Sequence, residues 1–344
     1  MRWKRTVTMV EAHAEGEVGR IVTGGVINVP GASMADKLRH LNEVDDSLRR
    51  FLVFEPRGAA QMSTCLIFPP TRQDADVGFL VLQGDRAHAM SGSNAICLTT
   101  VLLETGMLEM KEPETVVRID TASGLVVARA RCNAGKCESV ELEMNPSYVD
   151  RLDTRIDVPG LGPVTLDIAY GGIFYALVDA GQLNLEIRPD MARKLVEAGS
   201  AIHRAINAQL DIAHPEISAI RGISYVMFTG TNAAGELKGA TIMPPGRIDR
   251  SPCGTGNSSR LAAAAARGTA HVGDRFSARS IIDSRFDVGF ARETEVAGRR
   301  AVVPTITGRG WIHGIHQIGL DPSDPYPNGF RVADTWGDAF DLLN

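Results

Sequence analysis

No stretch of the 344-residue chain is apolar for the roughly 18 residues that a membrane span requires. The chain has no basic excess either. Its 36 Lys and Arg stand against 41 Asp and Glu, a formal net charge of -5, which excludes a nucleic-acid partner and a polybasic membrane segment. The opening run MRWKRTVTMVEAHAEGE is basic, but no apolar segment follows it, so it does not read as a secretory signal. Cysteine is scarce and odd in number. Cys65, Cys97, Cys132, Cys137 and Cys253 are irregularly spaced in a long chain, which argues against a disulfide framework. Cys132 and Cys137, in RCNAGKC, have no second pair or nearby histidine to complete a zinc site and read as the two sides of a hairpin turn. Cys65 and Cys97 lie in apolar surroundings and read as core residues. With 44% hydrophobic and 22% charged residues, the expectation is a cytoplasmic enzyme long enough for two domains.

The first half is rich in strand signals. GRIVTGGVINV, RFLVFEPRG, STCLIFPP, VGFLVLQG and TVVRIDTASGLVVARARC are short β-rich runs bounded by turn residues. Residues 33–53 are predicted as one helix, with Met34, Leu38, Leu41 and Leu48 at helical spacing. SGSNAICLTTVLLETG is predicted as a second helix, stopped by Gly106. The second half repeats the mixture. GPVTLDIAYGGIFYALVDAG is a strand pair around a double glycine, RPDMARKLVEAGSAIHRAINAQL a long amphipathic helix, and ISYVMFTG and LKGATIMPPG are strands. A loop and helix follow in SPCGTGNSSRLAAAAARG, then strands again to residue 320. This order predicts α+β halves with largely antiparallel sheets.

One correspondence organises the chain. Ser91 to Gly106 and Cys253 to Gly268 both span 15 positions, and the two starts lie 162 positions apart. Each unit runs from a small nucleophilic residue through glycine and a hydroxyl residue into a proline-free helix that ends at glycine. We read them as equivalent loop–helix units of two similar lobes. A helix N-terminus offers unpaired N–H groups and a partial positive charge, and glycine lets a ligand approach the backbone. Two such ends facing one another would grip a small carboxylate. The same field should lower the pKa of Cys253 below the value of about 8.5 for a free thiol. Other readings of this loop are weaker. GTGNSS lacks the third glycine of a dinucleotide fingerprint and the apolar strand before it, and GTGNSSR lacks the Lys-Ser/Thr of a P-loop. A cysteine hydrolase needs a partner histidine, and nothing ties His203, His214, His271, His313 or His316 to Cys253. Asp249, four residues before Cys253, could bind an ammonium group or cap a turn.

MSGSNA at 90–95, YGGIFYALVDA at 170–180 and DRSPCGTGNS at 249–258 resemble the proline racemase family, as do AHAEGEVGRIV near the start and NPSYV at 145–149. The resemblance implies a diaminopimelate-epimerase-like α+β fold. Two pseudo-symmetric lobes, each a sheet around a central helix, would hold the active site in the cleft between them. The expected first lobe is 1–155, joined by the C-terminal segment 315–344, and the second is 156–314. The resemblance also implies no metal, no organic cofactor and a small-molecule substrate of the hydroxyproline type. A homodimer is the expected oligomer. In this family two cysteines face opposite sides of the substrate α-carbon. The matching positions here are Ser91 and Cys253, with Gly92, Ser93, Gly254 and Thr255 as carboxylate-binding groups and Asp249 on the ring ammonium. Phe174 and Tyr175 are candidates for the ring pocket.

The chain departs from the pattern twice. Ser93 stands where the family often has histidine, and Ser91 stands where it has a cysteine. A serine hydroxyl is a poorer base than a thiol at neutral pH, so an unequal pair should racemise poorly. Related members with one cysteine replaced include trans-3-hydroxy-L-proline dehydratases. In that substrate the α-hydrogen and the 3-hydroxyl share a ring face, so one acid/base group could remove both. The expected activity is therefore dehydration of trans-3-hydroxy-L-proline to Δ1-pyrroline-2-carboxylate, a lyase reaction. The alternatives are a 4-hydroxyproline 2-epimerase and a catalytically silent imino-acid-binding protein.

Overall fold

The computed structural model describes residues 2–59, 61–218, 220–244 and 246–332. Its elements fall into two series. The first is β1 (Arg5–Ala14), β2 (Glu17–Gly24), α1 (Met34–Arg39), α2 (Ser47–Val53), β3 (Ser63–Phe68), β4 (Val77–Leu82), β5 (Ala87–His88), α3 (Gly92–Glu104), β6 (Glu114–Thr121), β7 (Gly124–Asn133), β8 (Lys136–Glu143) and β9 (Ser147–Val158). The second is β10 (Gly162–Tyr170), β11 (Phe174–Asp179), α4 (Ala192–Gln209), β12 (Tyr225–Thr231), β13 (Leu237–Met243), β14 (Arg247–Ile248), α5 (Gly254–Ala266), β15 (Arg275–Arg279), β16 (Arg285–Val296), β17 (Arg299–Gly308) and β18 (Gly310–Leu320).

The pairing pattern of the first series recurs in the second. β2 runs parallel to β3 and β4 parallel to β6, as β11 does to β12 and β13 to β15. The other neighbours are antiparallel in both series, including the β1–β2 and β10–β11 hairpins and the β6–β7–β8 and β15–β16–β17 meanders. The result is the expected α+β fold of two similar lobes. The last strand of each series crosses over: β9 pairs with β10 and β17, and β18 returns to pair with β1. β8 and β17 pair directly and tie the lobes together. The expected boundary at 155/156 falls inside β9. Of the segment 315–344, residues 315–320 belong to β18, and 333–344 lie outside the described residues.

Each lobe wraps its strands around one helix. Every residue of α3 from Gly92 to Leu103 is buried, and it packs on β1, β2, β7, β8 and β18. α5 is enclosed by β9, β10, β11, β16 and β17. Several hydroxyls of these buried helices are satisfied locally. Thr99 and Thr100 hydroxyls donate to the carbonyls of Ala95 and Ile96 at 2.9 Å, and Ser258 to that of Gly254 at 3.0 Å. That removes the cost of burying an unpaired hydroxyl. Gly106 and Gly268 follow the two helices at φ of +72° and +74°, the left-handed stop that glycine adopts without strain. α4 is amphipathic and covers the outside of its lobe, as its periodicity predicts. Cys132 and Cys137 pair across the β7–β8 hairpin, and Cys65 and Cys97 are fully buried.

One prediction fails in detail. Residues 33–53 do not form a single helix. Ser33 caps α1 in a reciprocal box with Asp36, a π turn covers His40–Val44, and the chain breaks at Asp45 and Asp46 before α2. Asp45 Oδ1 accepts the Ser47 N–H at 2.9 Å. That local bond competes with the helical ladder, and apolar spacing does not register it. Among the described residues no helix is long and apolar enough to cross a membrane.

The N-termini of α3 and α5 meet head to head. A Cβ on Gly92 would lie 3.1 Å from Gly254 Cα, and one on Gly254 would lie 3.1 Å from Gly92 Cα. A side chain here would have to push backbone against backbone. Gly254→Ala should therefore lower stability by about 1–3 kcal/mol, the usual cost of overpacking. Urea unfolding measures this, and an unchanged midpoint would show that the helix ends part freely.

Candidate active site

The junction of α3 and α5 borders a small, narrow cavity. All seven residues expected as proton-transfer, carboxylate-binding or ammonium-binding groups line it: Ser91, Gly92, Ser93, Asp249, Cys253, Gly254 and Thr255. Ser91 is the N-cap residue of α3 and Cys253 that of α5. The first intrahelical bonds run from Ala95 N–H to Ser91 O and from Asn257 N–H to Cys253 O, both 3.0 Å. The N–H groups of Gly92, Ser93, Gly254 and Thr255 therefore have no helical acceptor. Two positive helix ends converge on one small space, a geometry suited to a carboxylate.

The two N-cap residues are held differently. Ser91 has extended backbone, with φ of -151°, and its Oγ accepts the Asn94 Nδ2–H at 2.9 Å. Its Oγ also lies 3.4 Å from Ser93 Oγ. Cys253 has φ of +70°, a region costly for a residue with a Cβ. Local bonds fix it there: its N–H donates to Ser251 Oγ at 3.1 Å, and Asn257 Nδ2 donates to the carbonyls of Pro252 (2.6 Å) and Cys253 (3.0 Å).

The expected acidic thiol is not what the structure holds. Burial pushes Cys253 up to about 12, with the neighbouring Asp249 charge adding to it. The hydroxyls of Thr241 and Tyr175 and the N–H of Gly256 work in the opposite direction without overcoming it. The helix end does favour a thiolate, but at 5% exposure the loss of hydration outweighs it.

Asp249 is the centre of a buried charge cluster that spans both lobes. Its Oδ1 accepts the N–H and hydroxyl of Ser251, each at 2.8 Å. Glu17, at the start of β2, straddles it: Oε1 pairs with Arg247 at 2.6 Å and Oε2 accepts the Arg250 N–H at 2.9 Å. Burial works against the Arg247 charge, but attraction and hydrogen bonding to Glu17, with Asp249 and Tyr225, together more than offset it. Two carboxylates against one guanidinium leave the cluster one negative charge in excess. Burial, then repulsion from Glu17, raises Asp249 to about 7. A cationic ligand beside Asp249 would relieve that excess.

A chain of polar contacts continues from Arg247 to Ser63 (3.3 Å), Gln83 (3.1 Å), the Tyr225 hydroxyl (2.7 Å) and His88 (3.1 Å). Glu17, Gln83, Asn94 and Tyr225 line the cavity, and the sequence reading did not single them out. Glu17 stood within a quoted motif, but only the fold shows that β2 delivers it beneath Asp249. Of the two ring-pocket candidates, Tyr175 lines the cavity, whereas Phe174 points the other way on β11 into the core. None of the five histidines weighed as partners reaches the cavity, and among the described residues no cluster of three or more metal-ligating side chains occurs.

Comparison with known proteins follows this geometry. The chain is 54% identical over 339 residues to a 4-hydroxyproline 2-epimerase of Agrobacterium fabrum, covering 98% of each chain. It is 55% identical to one of Rhizobium etli with the same coverage. A crystal structure of a hydroxyproline epimerase from Agrobacterium vitis with bound trans-4-hydroxy-L-proline superposes with a TM-score of 0.95 at 52% identity, covering 98% of each chain. These relatives overturn the expected dehydration of trans-3-hydroxy-L-proline. That expectation treated Ser91 as a bare hydroxyl. In the structure its oxygen accepts a hydrogen bond from Asn94 at the positive end of α3, and both effects stabilise charge on it. The proline racemase model matches residues 9–331, and the chain belongs to the proline racemase family.

Proposed function

We propose that this protein is a 4-hydroxyproline 2-epimerase, with Ser91 and Cys253 as its two proton-transfer groups. The observation that carries this reading is the head-to-head pair of helix ends, each with a proton-bearing side chain at its N-cap, in a chain 54% identical to epimerases of that substrate. The substrate carboxylate sits against the N–H groups of Gly92, Ser93, Gly254 and Thr255. The ring ammonium lies on Asp249, where it neutralises the excess charge of the Glu17–Arg247–Asp249 cluster.

Removal of the α-proton places charge on the carboxylate oxygens, and these face the two helix ends. Donors already aimed at developing charge in a water-poor site need no reorganisation as the reaction proceeds. One of Ser91 and Cys253 accepts the α-proton on one face while the other donates a proton to the opposite face. The C4 hydroxyl takes no part. Each turnover leaves the pair with reversed protonation, which the reverse reaction or exchange with water resets.

Incubation with trans-4-hydroxy-L-proline in D2O should give the C2 epimer with deuterium at the α-carbon, seen by NMR and chiral chromatography. Cys253→Ala and Ser91→Ala should each lower the rate by at least about 100-fold. Imine formation without the epimer would sink the proposal. A second expectation concerns pH. Asp249 must be ionised to hold the ammonium, and its carboxyl is raised to about 7. The value of kcat/KM should rise as pH increases through that region, and Glu17→Gln, by removing the repelling charge, should move the rise to lower pH. A rise left in place by that substitution would dissociate Glu17 from the titration.

A further inference from the structure

Tyr175 on β11 is fully buried, and its hydroxyl has two partners: Cys253 Sγ at 3.2 Å and Thr255 Oγ1 at 2.6 Å. The three groups close over the first turn of α5. A Cβ on Gly256 would lie 3.0 Å from Cys253 Sγ and 3.3 Å from Tyr175 Cε1, so only a glycine lets sulfur and phenol sit against the helix start. The phenol itself stays neutral, because burial raises its pKa well above the ordinary value.

A phenol has one proton and cannot give it to both partners. While Cys253 is a thiol, the closer Thr255 oxygen is the better acceptor. Once the sulfur is a thiolate it accepts only, and a hydrogen bond to a charged acceptor is about twice as strong as a neutral one. The proton then turns to sulfur, and the Thr255 hydroxyl is left to donate toward the cavity. The Thr255 hydroxyl also faces the sulfur but from farther away, at 3.9 Å. Asp249 repels the charge, with Glu17 and Arg247 paired behind it. The Tyr225 hydroxyl is committed to Gln83. The Thr241 hydroxyl also favours the thiolate, but unlike that of Tyr175 it has no second partner to release.

We propose that Tyr175 is a positioning residue that holds Cys253 as a thiolate by donating its hydroxyl proton to Sγ, and that this turn of the phenol frees Thr255 to bind the substrate carboxylate. Carboxylate arrival and thiol ionisation are thereby coupled through one hydroxyl, with the thiol proton passing to water. The inference rests on the reading of Cys253 as a proton-transfer group, but its test contains no substrate.

The test is the rate at which iodoacetamide alkylates Cys253, followed by mass spectrometry of its peptide across pH in the wild-type chain and in Tyr175→Phe. In this reaction the thiolate displaces iodide. Loss of the donor should move the midpoint about one unit higher, so the rate at a fixed pH below it falls about tenfold. If Tyr175→Phe does not fold, replacement of tyrosine by the more acidic 3-fluorotyrosine in the full chain should shift the midpoint the other way. An unchanged rate in Tyr175→Phe, or a 3-fluorotyrosine chain alkylated no faster than the wild type, would overturn the proposal. Failure to epimerise 4-hydroxyproline while the shift is seen would instead overturn the substrate reading alone.

Discussion

The structure depends on one apposition: two helix N-termini placed end to end with only glycine between them. Like partial charges repel, so such a junction is unfavourable on its own. It persists because each helix is enclosed by strands on nearly every side and cannot slide back. The field that the helices cannot cancel between themselves is directed into a small, shielded space. Burial of α3 and α5, which looks like core packing, is therefore the device that makes the site electropositive.

The second feature of the site offsets that field. Glu17 and Asp249, with Arg247 paired behind Glu17, place excess negative charge close to the positive helix ends, in the same cavity. Such a cluster does little for stability, because each charge forfeits its hydration. Its value lies in polarity. A zwitterion with carboxylate and ammonium on one carbon matches a cavity with one positive and one negative wall, whereas a plain carboxylic acid or an amine matches only half of it.

Much of this was legible in the sequence, for identifiable reasons. The equal 15-residue spacing of Ser91–Gly106 and Cys253–Gly268 is local, and local signals survive folding: both helices and both glycine stops followed from it, whereas the set of seven cavity-lining residues came from the resemblance to the proline racemase family. Glu17, Gln83 and Tyr225 were not legible in this way, because they arrive on separate strands and only sheet register brings them together. The acidity of Cys253 was misread for a related reason. A helix end can be seen in a sequence, but the depth of burial that opposes it cannot. The break at Asp45 shows that a local competitor can defeat a periodicity that is otherwise sound. The largest error was chemical. It assigned proton affinity from the identity of Ser91 rather than from what surrounds its oxygen.

The crossed strands have a consequence for how the molecule is made. β9 is synthesised with the first series but completes the second sheet, and β18 emerges last yet lies against β1, the first strand made. The first half of the chain leaves the ribosome with one flank of its sheet open and must wait for the final strand to cover it. Neither half completes its sheet from its own strands, because β18 pairs with β1 and β9 pairs with β10 and β17. For all its internal duplication, the protein is committed to folding as a single piece.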